Sequence, residues 1–214
     1  AQALRAWFRT LDDDALRAAS YIVVESGLGI MLIHRARQLN GHARIIYRGS
    51  DALHTIGAPP ALDAELRRHA SDVDAYCLLA DKMAADFRWA ANKTYTVPLG
   101  VHRGDFADIG PSPYAGGTNA VTVGSMLFDR SFFQHAAARF PDIQFHLIGT
   151  GGTFEALANV RQYDEMPFKA TLPYLKYADF GIAAYRPQAN SGYLAQSSLK
   201  LMQYEYLGLP AVCP

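Results

Sequence analysis

The 214-residue sequence has only two cysteines, Cys77 and Cys213, each in an apolar, strand-like run and far apart in the chain. Such a pair reads as two reduced core thiols of a cytosolic protein and excludes a disulfide framework. No apolar run reaches the ~18 to 20 residues that a membrane-spanning helix needs, and no signal peptide opens the chain. An excess of either charge is also missing, because 20 basic and 20 acidic residues cancel. A neutral chain lacks the electrostatic footprint for duplex nucleic acid. Its nearest approach to a basic cluster, Arg35, Arg37, Arg44 and Arg48, is interleaved with apolar residues, as on a helix face and a strand edge. No G-x-G-x-x-G opens a strand-to-helix unit, which counts against NAD or FAD, and no G-x-x-x-x-G-K-[ST] is present. No G-x-S-x-G and no Cys/His arrangement offers a nucleophile. The seven histidines (His34, His42, His54, His69, His102, His135, His146) show no metal-ligand spacing, and Asp12, Asp13 and Asp14 read as a helix-initiating acidic turn. Internal repeats and low-complexity tracts are absent from the sequence.

What is present is a 50% apolar, 12% aromatic chain, enough for one large or two modest cores. Strand-length apolar runs alternate with helical patterns. The expected strands of the first half are residues 21–26, 43–51, 75–80 and 94–101, the first of them buried. The helices between them are expected over 27–39, 61–69 and 82–91. Residues 102–118 break the pattern with Gly, Pro and Asp, a linker by composition. The alternation then restarts. Strands are expected at 120–125, 143–149, 159–166 and 178–185, and helices at 130–140, 154–158 and 170–176. This predicts an α/β fold of two Rossmann-like domains with parallel sheets. The first runs over 1–104, the linker over 105–117 and the second over 118–214. The chain begins inside an amphipathic helix (Leu4, Trp7, Phe8, Leu11) and stops at a strand, so it is expected to be cut at both ends.

The segment Ser197 to Val212, SSLKLMQYEYLGLPAV, carries the most chemistry. Two serines are read as opening a helix that Gly208 closes, and Pro210 starts a strand. Free N–H groups in such a first turn, together with the helix dipole, favour a phosphate. Lys200 and Gln203, three apart, share one face of that helix. Gly124 and Ser125 follow the first strand of the second half, where a glycine permits close backbone approach to a ligand or makes a plain turn. Glu165 and Met166 end another strand; a carboxylate there can accept two ribose hydroxyls, or stand as a solvated loop residue. Tyr185 and Arg186 close the strand before the key loop and could touch phosphate or sugar, or Tyr185 could pack. Asp51 ends a strand as R-G-S-D; facing a cleft it is a candidate general base with a raised pKa, and otherwise a turn or cap aspartate. Glu25 is a second candidate of the same kind.

Taken together these residues resemble the GT-B glycosyltransferases. VPLGVHRGDF (97–106) looks like their interdomain P-x-G-V segment, VTVGS (121–125) like their second-domain Gly loop, and SLKLMQYEYLGLPAV (198–212) like their donor-binding helix and following strand. Retaining members carry two glutamates eight apart where this chain has Ala195 and Gln203, and an Arg after the loop glycine where it has Ser125; Arg130 matches their following Lys. The pattern is instead similar to family 70, the inverting, UDP-glucuronate-dependent glucuronosyltransferases of xanthan-type exopolysaccharide assembly.

That resemblance implies the GT-B fold, the first domain truncated at its N-terminus and the second at its C-terminus. It implies Asp51 as base and Glu165, Tyr185, Lys200 and Gln203 facing the UDP-sugar; Gly124, Ser125, Met166, Arg186, Ser197, Ser198 and Leu199 are expected beside them at the donor from their places at strand ends and the helix entry. It further implies transfer to a lipid-linked oligosaccharide, no metal and no cofactor beyond the UDP-sugar, and a cytoplasmic enzyme peripheral on the inner face of the plasma membrane. A GT-B transferase using another nucleotide sugar, or a non-catalytic nucleotide- or sugar-binding module, remains the alternative.

Overall fold

The structure is a computed structural model and describes residues 13–154, 157–188 and 191–213. The amphipathic stretch around Trp7 and Phe8, and part of the helix expected at 154–158, lie outside them. The chain divides into two compact units, one of residues up to Pro98 with 189–197, the other of 99–188 with 198–214.

The first unit runs α1 (Asp13–Ala18), β1 (Tyr21–Glu25), α2 (Ile33–Leu39), β2 (Arg44–Gly49), α3 (Pro60–Arg68), β3 (Ala75–Leu78) and β4 (Thr94–Thr96). The four strands lie in the order β1-β2-β3-β4, all parallel, with Val23 opposite Ile46 and Tyr47 opposite Tyr76. Ile22, Val24, Ile33, Ile45, Leu66 and Tyr76 belong to its core. The strand expected to be buried is only half so. β1 alternates, with Ile22 and Val24 inward while Tyr21 and Val23 are 68% and 57% exposed, on the same poorly covered sheet face as their partners Arg44 and Ile46.

Two expected helices also change form. Residues 28–32 wind as tight 3₁₀ turns after Gly27, whose φ of 124° suits glycine, before α2 takes over at Ile33. Residues 81–93 form a 3₁₀ run broken at Phe87 and Ala90. There Phe87 and Trp89 stack at 5.7 Å and both meet Tyr76, so aromatic packing overrides regular helix. β4 stops short of the expected Val101 because Pro98 has no N–H to give a ladder.

The second unit contains β5 (Thr118–Val123), α4 (Arg130–Arg139), β6 (Ile143–Ile148), β7 (Val160–Tyr163), α5 (Phe168–Tyr177) and β8 (Phe180–Ile182). The chain then returns to the first unit for α6 (Leu194–Ser197), and α7 (Leu199–Leu207) and β9 (Ala211–Val212) complete the second. Its parallel strands lie in the order β7-β6-β5-β8-β9. Counted within the unit this is 3-2-1-4-5, so the order reverses between β5 and β8, where α/β sheets bind ligands beyond the strand ends. One face packs α4 through Phe133 and Ala137. The other packs α5 and α7 through Leu172, Leu175 and Tyr204. The Gly/Pro-rich segment after Val101 is held to this unit, with Phe106 against Tyr206 at 4.6 Å and the Tyr114 hydroxyl donating to Tyr174 O at 2.6 Å.

Candidate functional site

In the first unit the chain turns immediately after β2. A Cβ on Gly49 would come within 2.8 Å of the Leu78 side chain, so a glycine ends the strand and Ser50 and Asp51 lie beyond it. Ser26 holds the turn: its hydroxyl donates to Asp51 O at 2.9 Å, and its oxygen lies 3.3 Å from the Asp51 N–H. The Tyr193 hydroxyl donates to Asp51 Oδ1 and accepts the Ala52 N–H, each at 3.3 Å. Burial raises the Asp51 pKa, the Tyr193 hydrogen bond lowers it, and Glu25 raises it; the net direction is up. Asp51 opens on a cavity of about 300 Å³ that Tyr47, His54, Asp63, Arg67 and Phe87 also line. Glu25, the second candidate, is committed to Ser50 and lies 3.5 Å from Arg48.

In the second unit the loops after β5 and β8 flank the point where strand order reverses. Gly124 has a φ of 92°, and a Cβ there would meet nothing within 4 Å, so backbone conformation and not crowding calls for glycine. Leu127 sits at φ 49°, a strained value for a non-glycine residue. Arg186 N–H donates to Leu127 O at 2.7 Å, and Phe128 bridges Tyr185, so the two loops are tied together. Gly124, Ser125, Glu165 and Met166 line one cavity of about 340 Å³. Lys200 reaches Thr122 Oγ1 at 3.0 Å and lies 5.3 Å over the Tyr185 ring. Burial pushes its ammonium down to about 8. The Tyr185 and Ser198 hydroxyls are 2.5 Å apart, and burial raises the Tyr185 pKa. Gln203 is half-buried one turn beyond Lys200, whereas Leu199, Glu165 and Arg186 are exposed.

The helix start needs one correction. Ser198, with extended φ −67° and ψ 112°, separates α7 from the short α6 before it and is alone the cap, its oxygen accepting the Leu201 N–H at 3.3 Å. Ser197 ends α6 and is buried, its hydroxyl donating to Tyr193 O at 3.2 Å. Sequence reasoning also missed Tyr193, 142 residues from Asp51, and Thr122, 78 from Lys200. No local motif marks either. The histidines, which have no metal spacing along the chain, supply one three-donor cluster among the described residues, His34 and His69 with Asp72.

Residues 3–79 match the family model of the N-terminal domain of glucuronosyltransferase GumK. The chain is 40% identical over 228 aligned residues to the UDP-glucuronate:glycolipid 2-beta-glucuronosyltransferase of Xanthomonas campestris pv. campestris. The chain is similar to GumK. The match takes in 98% of this chain and 56% of that enzyme, so the chain spans little more than half the length of its relative. Among solved structures, a sucrose-phosphate synthase from Thermosynechococcus elongatus superposes with a TM-score of 0.70 at 12% identity, over 99% of this chain and 58% of the other. An alpha-glucosyltransferase in complex with UDP-glucose and DNA follows at 0.58 and 11%, over 94% and 63%. These two likenesses concern fold alone, the parallel-sheet, Rossmann-like units of GT-B glycosyltransferases.

Proposed function

We propose that the chain belongs to an inverting glucuronosyltransferase that moves glucuronate from UDP-glucuronate to a hydroxyl of a lipid-linked oligosaccharide. The observation that carries this reading is the 40% identity to the GumK enzyme along 98% of the chain. The placement of a half-buried carboxylate with a raised pKa on the first unit and a half-buried ammonium with a lowered one on the second supports the division of labour.

In the proposed reaction the acceptor oxygen attacks the anomeric carbon while its O–H proton passes to Asp51. The bond from that carbon to the β-phosphate oxygen breaks, and its electron pair leaves with UDP. A raised carboxylate pKa makes Asp51 a better proton acceptor than an exposed aspartate. Lys200 supplies positive charge for the leaving diphosphate in place of a metal. Glu165 is assigned to the ribose hydroxyls, Met166 to the base edge, Gly124 and Ser125 to the close backbone approach, and Tyr185, Arg186, Ser198 and Gln203 to the phosphates and sugar. Ser197 and Leu199 support the helix entry. A lipid-linked acceptor places the enzyme peripherally on the inner face of the plasma membrane; among the described residues no helix is long and apolar enough to cross it.

The test is a transfer assay with UDP-glucuronate and a glycolipid acceptor in excess EDTA, the product read by NMR. An α-linked donor is expected to give a β-linked product at full rate. An α-linked product, or activity that vanishes with the chelator, would overturn the mechanism. Equal use of UDP-glucose would shift the reading to a transferase of another sugar.

A further inference from the structure

The first turn of α2 and the turn from α3 into β3 bring three ligand-type side chains together. His34 Nδ1 and His69 Nδ1 lie 3.0 Å and 3.2 Å from the same atom, Asp72 Oδ2. The three donor atoms all lie within 4.8 Å of one another. The two imidazoles stack, with centroids 4.5 Å apart and planes at 29°. Zinc bound at ~2.0 to 2.1 Å in a tetrahedron separates its ligand atoms by ~3.3 Å. Two of the three pairs here are already near that spacing.

The outward nitrogens are partnered as well. His69 Nε2 lies 3.1 Å from Glu65 Oε1, and His34 Nε2 lies 2.9 Å from the Gln38 amide. A metal-bound imidazole turns its other N–H to a carboxylate or carbonyl in this way, and the Gln38 amide presents its oxygen by a flip. The backbone under the cluster is fixed independently. Arg37 donates to Asp72 O at 2.8 Å, and Lys93 donates to Ala70 O and Val73 O, both at 2.6 Å. Hydrogen bonding alone asks one carboxylate oxygen to take a proton from each of two histidines. A divalent cation replaces both protons, and its charge is matched by Asp72 and Glu65.

We propose that His34, His69 and Asp72 form a Zn²⁺ site that clamps α2 to the α3–β3 turn, with Glu65 orienting His69 and water as the fourth ligand. Two imidazoles and one carboxylate suit zinc better than magnesium or calcium. His69 and Asp72 precede the amino end of β3, whereas Asp51 follows the carboxyl end of β2, so the ion takes no part in sugar transfer.

The experiment is equilibrium dialysis of the chain against ZnCl₂ with metal counted by mass spectrometry, beside thermal melts with zinc or chelator. One zinc per chain is expected, raising the Tm by a few degrees at saturation. His34→Ala removes a half-exposed side chain and is expected to abolish binding, and Glu65→Gln to weaken it ~10- to 100-fold. His42→Ala, an exposed histidine outside the cluster, should leave binding intact. Circular dichroism in chelator checks that each variant is folded. Binding that does not saturate near one equivalent, or that survives both His34→Ala and Asp72→Asn, would overturn the site.

Discussion

Each unit holds a half-buried charged group beside its parallel sheet, and the same desolvation moves the two groups in opposite directions. Asp51 in the first unit is raised, and Lys200 in the second is pushed down to about 8. Burial penalises whichever form is charged, so it makes a carboxylate readier to take a proton and an ammonium readier to lose one. The relief differs as well. Asp51 has a single side-chain hydrogen bond, from Tyr193, while Lys200 has a hydroxyl and an aromatic face. One physical cause thus moves a carboxylate and an ammonium in the directions that the proposed roles of proton acceptor and anion holder call for. A diphosphate beside Lys200 restores the charge that burial discourages.

The largest effect is expected at Asp51, the proposed base. Asp51→Asn is expected to cut transfer ~10²- to 10⁴-fold. Its folded pKa lies above the unfolded 3.8, so in that window the folded state holds more protons and stability falls as pH rises. The neutral amide removes that loss, and Asp51→Asn should melt higher than the parent at pH 7. A lower Tm would mean that the carboxylate stabilises the fold.

Lys200→Met comes next, with a loss of UDP affinity of ~10- to 100-fold, the scale of a hydrogen bond to a charged group. Here the folded pKa lies below the unfolded 10.5, so the unfolded chain binds more protons from about pH 8 upward and stability gains with pH across that window. Denaturant titrations should register this gain in the parent and lose it in Lys200→Met. UDP affinity in the parent should decline above about pH 8 and stay flat in the variant, as calorimetry across pH would read.

Tyr193→Phe is the mildest change. It removes the hydrogen bond that lowers the Asp51 pKa, so the acid limb of the rate–pH profile should move to higher pH. An unmoved limb would separate Tyr193 from the base.

Much of the fold was legible because local chemistry and tertiary structure agree. Gly208 closes α7 at φ 67°, as a glycine after a helical pattern should, and a three-residue spacing puts Lys200 and Gln203 on one face. The strand–helix alternation gave both parallel sheets. What failed depends on distant contacts. The exposed side of β1 belongs to a sheet face it shares with Arg44 and Ile46, the broken 81–93 run comes with rings gathered around Tyr76, and buried Ser197 is bonded back to Tyr193. The partner of Asp51, 142 residues on, and the His34–Asp72 approach across 38 residues have no linear pattern at all.

In the proposed reaction the charge on the second unit binds the donor while the charge on the first takes the acceptor's proton. Titration calorimetry of UDP-glucuronate into the parent, Asp51→Asn and Lys200→Met tests it most directly. An unchanged Kd is expected for Asp51→Asn and a Kd weakened ~10- to 100-fold for Lys200→Met. Equal weakening in both variants, or none in Lys200→Met, would contradict it.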